Sequence, residues 1–100
     1  MHMYNSISVT EFEQIWKKGN HKLIDVREID EWESGHVIGA THIPLQQLPD
    51  NLAKLDKNTM YHVICFSGSR SSVACRFLAQ QGFKVTNIMG GMSIWRGEVA

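Results

Sequence analysis

Tyr61 to Phe66 is an apolar, β-rich run of strand length, and four small or turn-prone residues around Gly68 separate it from a helical pattern that begins at Ser71. No other stretch constrains the chain as much. From Ser71 to Gln81, Val73, Ala74, Phe77 and Leu78 recur at helical spacing and make one apolar face. A strand running into a short loop and then a helix leaves the loop amides, and the unpaired N–H groups of the first helical turn, directed at one spot. That spot attracts an anion.

The rest of the chain repeats the alternation. Ile7-Ser8-Val9 reads as a first strand, and Thr10 with Glu13 forms a capping box for a helix whose face carries Phe12, Ile15 and Trp16 and which ends at Lys17-Lys18-Gly19. Lys22 to Val26 has the continuous apolar character of a buried strand, and Arg27 to Gly35 that of a short acidic helix closed by glycine. Val37 to Pro44 is a third strand stopped by proline, followed by a helical or turn-like connection from Leu45 to Leu55 interrupted at Pro49. After the central strand and helix, Gly82 caps, Lys84 to Ile88 makes a last strand, Gly90-Gly91 a tight turn and Met92 to Arg96 a closing helix. Short apolar strands alternating with helices predict an α/β fold, a small parallel sheet covered on both faces and joined by right-handed crossovers. Ligands bind such sheets outside the carboxyl ends of the strands, where Cys65 falls.

One hundred residues suit one domain spanning 1–100, with a core that needs no staples. Ten basic and ten acidic side chains balance, which removes the electrostatic case for nucleic acid or an anionic membrane as partner. Met1 to Asn5 has no basic n-region and no apolar h-region, and an 18-residue apolar run occurs nowhere in the sequence. Two cysteines in a chain of this size do not form a disulfide framework, and a nucleophilic thiol needs a reducing compartment, so a cytoplasmic location is expected.

Cys65 stands at the lip of the anion cradle. Thiols beside a helix N-terminus and N–H donors have pKa values of about 3.5–7.5, against about 8.5 for a free thiol, so Cys65 is expected to be ionised and nucleophilic at neutral pH. Arg70, at the helix start, adds a permanent cation whose planar fork suits tetrahedral oxyanions. The competing reading is a buried, inert cysteine at a strand end. The Gly/Ser loop and the arginine at this spacing favour chemistry.

Three separated segments resemble the rhodanese family. Leu23-Ile24-Asp25-Val26-Arg27 followed by Gly35-His36-Val37-Ile38-Gly39-Ala40-Thr41-His42-Ile43-Pro44 is similar to its N-terminal signature. Cys65-Phe66-Ser67-Gly68-Ser69-Arg70-Ser71 resembles its active-site loop, and Gly90-Gly91-Met92-Ser93-Ile94-Trp95 its C-terminal Gly-Gly-x-x-x-Trp feature. The resemblance implies a single rhodanese-like domain with about five strands. It also implies transfer of a sulfane sulfur: Cys65 takes it from thiosulfate or a persulfide donor, becomes a persulfide, and passes it to cyanide or a thiol acceptor by double displacement. Phe66, Ser67, Gly68, Ser69, Arg70 and Ser71 would supply backbone N–H groups to the terminal sulfur, and Ser67, Ser69 and Ser71 hydroxyl donors as well. Gly68 lets the loop curl, and Arg70 holds the donor's sulfonate end or orients the loop. No cofactor is required beyond the covalent persulfide. Small sulfur donors and thiol acceptors are the implied partners, and a protein sulfur acceptor is the alternative: a persulfide carrier or sensing module with weak thiosulfate turnover. Related phosphatases and arsenate-handling enzymes carry a loop one residue longer between Cys and Arg, which fits a phosphate where the shorter ring fits one sulfur atom. Negligible phosphatase activity is therefore expected.

Other candidates read as structural. Asp25 and Arg27 hold neighbouring loops by ion pairing, and His36, His42 and His62 lack the spacing of a metal site, so no metal is expected. Cys75 is expected to be half-buried on the flank of its helix and not to pair with Cys65. Trp32, Trp95 and Phe77 are expected to pack in the core or at its rim.

Overall fold

The computed structural model describes residues 3–100; Met1 and His2, part of the N-terminal segment read above for a leader, lie outside them. Five strands form one sheet: β1 (Asn5–Ser8), β2 (Lys22–Asp25), β3 (Thr41–His42), β4 (Met60–Ile64) and β5 (Lys84–Met89). All pairings are parallel and the order is β1-β5-β4-β2-β3, so β4 is central, between β5 and β2. The helices are α1 (Val9–Trp16), α2 (Ile29–Glu33), α3 (Ser69–Gln80) and α4 (Gly91–Ile94), with two 3-10 turns at Leu45–Gln47 and Pro49–Lys54.

Strand alternation divides the core between the two sheet faces. Ile24, Val63 and Val85 point to one side, where Ala74, Cys75, Leu78 and Ala79 of α3 cover them together with Ile43 and Leu48. Leu23, Ile64 and Ile88 point to the other, against Val9 and Phe12 of α1, with Trp95 packed at the edge. The two covered faces hold β4 in the middle of the molecule, and its carboxyl end delivers Cys65.

Several boundaries depart from the sequence reading. The first strand and helix meet earlier than expected, because Ser8 and not Thr10 is the N-cap: its Oγ accepts the Glu11 amide at 3.1 Å. The third strand shrinks to Thr41–His42; Val37, expected within it, instead makes an isolated antiparallel bridge to Val99. Glycines Gly35 and Gly39, both at positive φ, turn the chain repeatedly between α2 and β3 and prevent a continuous strand. The α3 helix starts at Ser69, so Ser69 and Arg70 belong to its first turn, and its buried face is Ser71, Ala74, Cys75 and Leu78, while Val73 is 51% exposed.

Candidate active site

The loop after β4 is shaped by what its carbonyls do. The oxygens of Cys65 and Phe66 accept the amides of Met92 and Ser93, both at 2.8 Å, and are thereby turned outward onto α4. Gly91 makes this approach possible: a Cβ there would collide with both carbonyl oxygens, and its φ of 53° is one an L side chain rarely adopts. With the carbonyls turned out, the following amides turn in. Gly68 closes the loop at φ 104°, the left-handed N-cap of α3, and its N–H donates to the Cys65 sulfur at 3.0 Å.

The Cys65 sulfur also lies 3.3 Å from the Ser71 hydroxyl, and that hydroxyl donates a short hydrogen bond to Oδ1 of Asn87 on β5. Asn87 Nδ2 returns to the Gly68 carbonyl at 3.4 Å. Cys65, Ser71 and Asn87 are all buried. Burial works against the thiolate, yet the Ser71 hydroxyl and the amides of Ser71, Gly68 and Ser67 outweigh it and hold the Cys65 thiol below its ordinary value. The inert-cysteine reading anticipates the opposite direction. Cys75, half-buried in the sequence reading, is fully buried in the same core cluster, and burial together with the Cys65 charge pushes its thiol up to about 12. Both cysteines are free.

The other loop residues take distinct places. Phe66 is half exposed at the mouth, and the Ser67 and Ser69 hydroxyls face each other at 3.3 Å on the outside. Ser71 alone among the serines touches the sulfur through its side chain. Arg70 is engaged by Glu31 of α2, Nη1 to Oε1 at 2.6 Å and Nη2 to Oε2 at 2.8 Å. Glu31 completes the capping box of α2 through the Glu28 amide, so it ties α3 to α2. Its carboxyl is held down to about 2, chiefly by the Arg70 hydrogen bonds. Neither Glu31 nor Asn87 was singled out from sequence. Asn87 left a signal there, a carboxamide inside the strand run Lys84 to Ile88; Glu31 stood beside Glu28, Asp30 and Glu33 in an acidic helix and left none.

Asp25 and Arg27 form a buried ion pair at 2.9 Å, and Arg27 Nη2 donates to the Gly35 carbonyl at 2.8 Å, fastening the connection before α2 to the one after it. His36 and His42 bond the carbonyls of Trp32 and Arg27, and Trp32 stacks on both imidazoles, centroids 3.4 and 4.7 Å away. His62, expected to be a hydrogen-bonding histidine, leaves its buried Nδ1 without a partner among the described residues; it faces Phe12 and His21 near the start of β4. Among the described residues no three His, Cys, Asp or Glu side chains are grouped to hold a metal ion, and no helix is long and apolar enough to cross a membrane.

Comparisons with known proteins converge on one family of domains. The model of the rhodanese-like domain matches residues 8–98. The chain is 46% identical over 76 residues to YtwF, a candidate sulfurtransferase of Bacillus subtilis, covering 76% of this chain and 74% of that one. It is 34% identical over 95 residues to the thiosulfate sulfurtransferase GlpE of Coxiella burnetii, 94% of this chain and 89% of the other. Among solved structures, a rhodanese-like domain protein from Staphylococcus aureus superposes with a TM-score of 0.88 at 32% identity, over 94% of this chain and 92% of that one.

Proposed function

The chain belongs to the rhodanese-like domain family, and from that premise we propose that it moves sulfane sulfur from thiosulfate or a persulfide donor to a thiol acceptor through Cys65. The observation that carries the reading is the environment of one sulfur atom: Cys65 Sγ, at the carboxyl end of β4, accepts the Gly68 amide at 3.0 Å and lies 3.3 Å from the Ser71 hydroxyl. The Gly68 amide is aimed at the sulfur and stabilises negative charge there without reorganisation.

In the first half-reaction the thiolate attacks the outer sulfur of thiosulfate. The new Cys65 S–S bond forms as the old S–S bond breaks, and sulfite leaves with the electron pair. The terminal sulfur of the persulfide carries the charge, and the amides of the loop from Phe66 to Ser71 stabilise it. In the second, an acceptor thiolate or cyanide attacks that terminal sulfur and Cys65 leaves as thiolate, so the enzyme returns unchanged and no cofactor enters. Arg70 acts here by position. Its fork is filled by Glu31, which favours an orienting role for the loop over a grip on the donor's sulfonate.

Steady-state transfer from thiosulfate to cyanide tests the proposal. Parallel double-reciprocal lines and complete loss of turnover in Cys65→Ser are expected, with Cys75→Ala retaining the rate. Intersecting lines, or activity in Cys65→Ser, would overturn it. A protein that accepts sulfur on Cys65 but turns over only with a partner protein is a carrier, the alternative use of the same thiolate.

A further inference from the structure

Resting on Cys65 as the sulfur nucleophile, we propose that Asn87 is a positioning residue that governs which way the Ser71 hydroxyl proton points, toward the Asn87 carboxamide or toward the Cys65 sulfur. The orientation of Asn87 follows from its partners. Its Nδ2 faces the Gly68 carbonyl, which only accepts, so Oδ1 must face Ser71, and a carboxamide oxygen can only accept. The single Ser71 proton is therefore committed to Asn87, and its oxygen presents lone pairs to sulfur 3.3 Å away. This arrangement suits a protonated thiol, whose S–H donates to Ser71.

Ionisation reverses the chain. When the Cys65 proton leaves, two acceptors compete for one hydroxyl proton; Ser71 turns its O–H from Asn87 to the thiolate, and Oδ1 gives up a donor. Asn87 holds its place through Gly68, in register with Val63 on the central strand. All three residues are buried, so water does not substitute for the missing partner at no cost. Asn87 thereby opposes the thiolate through the serine, and Ser71 favours it directly. Few charged groups face the sulfur: Arg70 on α3 is tied to Glu31, Cys75 on α3 stays a neutral thiol, and on β2 Asp25 is neutralised by Arg27. The hydroxyl proton is the adjustable element.

The pH dependence of iodoacetamide alkylation at Cys65 in the folded protein, measured with Cys75→Ala as background, reads this directly. Ser71→Ala should raise the apparent pKa of Cys65, cutting thiolate about tenfold at a pH below it. Asn87→Leu frees the hydroxyl and should lower the pKa, whereas Asn87→Asp, similar in shape and a stronger acceptor, should raise it. In the Ser71→Ala background, Asn87→Leu should have no effect. If Leu and Asp at position 87 shift the pKa in the same direction, or if Asn87→Leu acts without Ser71, the proposal is overturned. Should Asn87→Leu fail to fold, Asn87→Ala with and without Ser71→Ala decides by the same logic, since it removes the carboxamide without adding a charge beside the sulfur. Alkylation needs no sulfur donor, so a failure to form persulfide leaves this readout intact and overturns only the functional reading above.

Discussion

Arg70 closes its guanidinium fork on Glu31, joining the first turn of α3 to α2 by two charge-assisted hydrogen bonds of 2.6 and 2.8 Å. Both side chains are about one-third exposed, so solvent screening leaves this pair about 0.5–1 kcal/mol. The Glu31 carboxyl is held down to about 2, below an unfolded value near 4.5, so its stabilisation is complete above about pH 5 and disappears as pH falls toward 2. Glu31→Gln should lower the urea midpoint at pH 7, by an amount that shrinks steadily as pH falls from about 5 toward 2. A further consequence separates positioning from binding: Glu31→Gln should reduce kcat as the loop loosens, with the KM for thiosulfate nearly unchanged.

The two thiols should differ sharply in reactivity. Cys65 is held below its ordinary value by Ser71 and the loop amides despite burial, and Cys75 is pushed up to about 12. Alkylation of the folded protein between pH 6 and 9, at pH values chosen to span the ordinary thiol range of about 8.5, should modify Cys65 and spare Cys75. The rate should rise through a midpoint below that of the same thiol in denaturant, where both cysteines react. Peptide mapping checks the assignment.

Gly91→Ala should be severe for its size. The added Cβ meets the carbonyls of Cys65 and Phe66 at a positive φ, so α4 must withdraw and the Met92 and Ser93 hydrogen bonds break. A loss of about 2–4 kcal/mol in denaturant unfolding is expected, from backbone strain and the lost hydrogen bonds to the Cys65 and Phe66 carbonyls together. Activity should fall as well, because those carbonyls hold the amides toward the sulfur.

Asp25→Ala should destabilise more than any loop substitution. It leaves the Arg27 guanidinium buried and unpaired, at a cost of about 3–5 kcal/mol. Urea unfolding of Asp25→Ala against the paired replacement Asp25→Leu with Arg27→Met separates the ion pair's net worth from the penalty of an orphaned charge. The double variant should recover most of the loss.

Legibility followed the range of the interactions involved. The strand at Tyr61, the loop at Gly68 and the helix beyond it were readable because apolar period and turn chemistry are local, and the parallel sheet followed from the alternation. Thr41–His42 was overestimated because its pairing to β2 is bounded by Gly39 and by packing, which periodicity does not register. Ser8 displaced Thr10 as cap through the same hydroxyl chemistry two residues earlier. Asn87 and Glu31 meet the loop from 16 and 39 residues away in sequence, and only the fold brings them there.

Whether Cys65 carries sulfur is read by intact-protein mass spectrometry with peptide mapping after thiosulfate treatment. A gain of one sulfur atom on Cys65, removed by cyanide and absent from Cys65→Ser, is expected. An unchanged mass with every sulfane donor tried, or a sulfur mapped to Cys75, would contradict it.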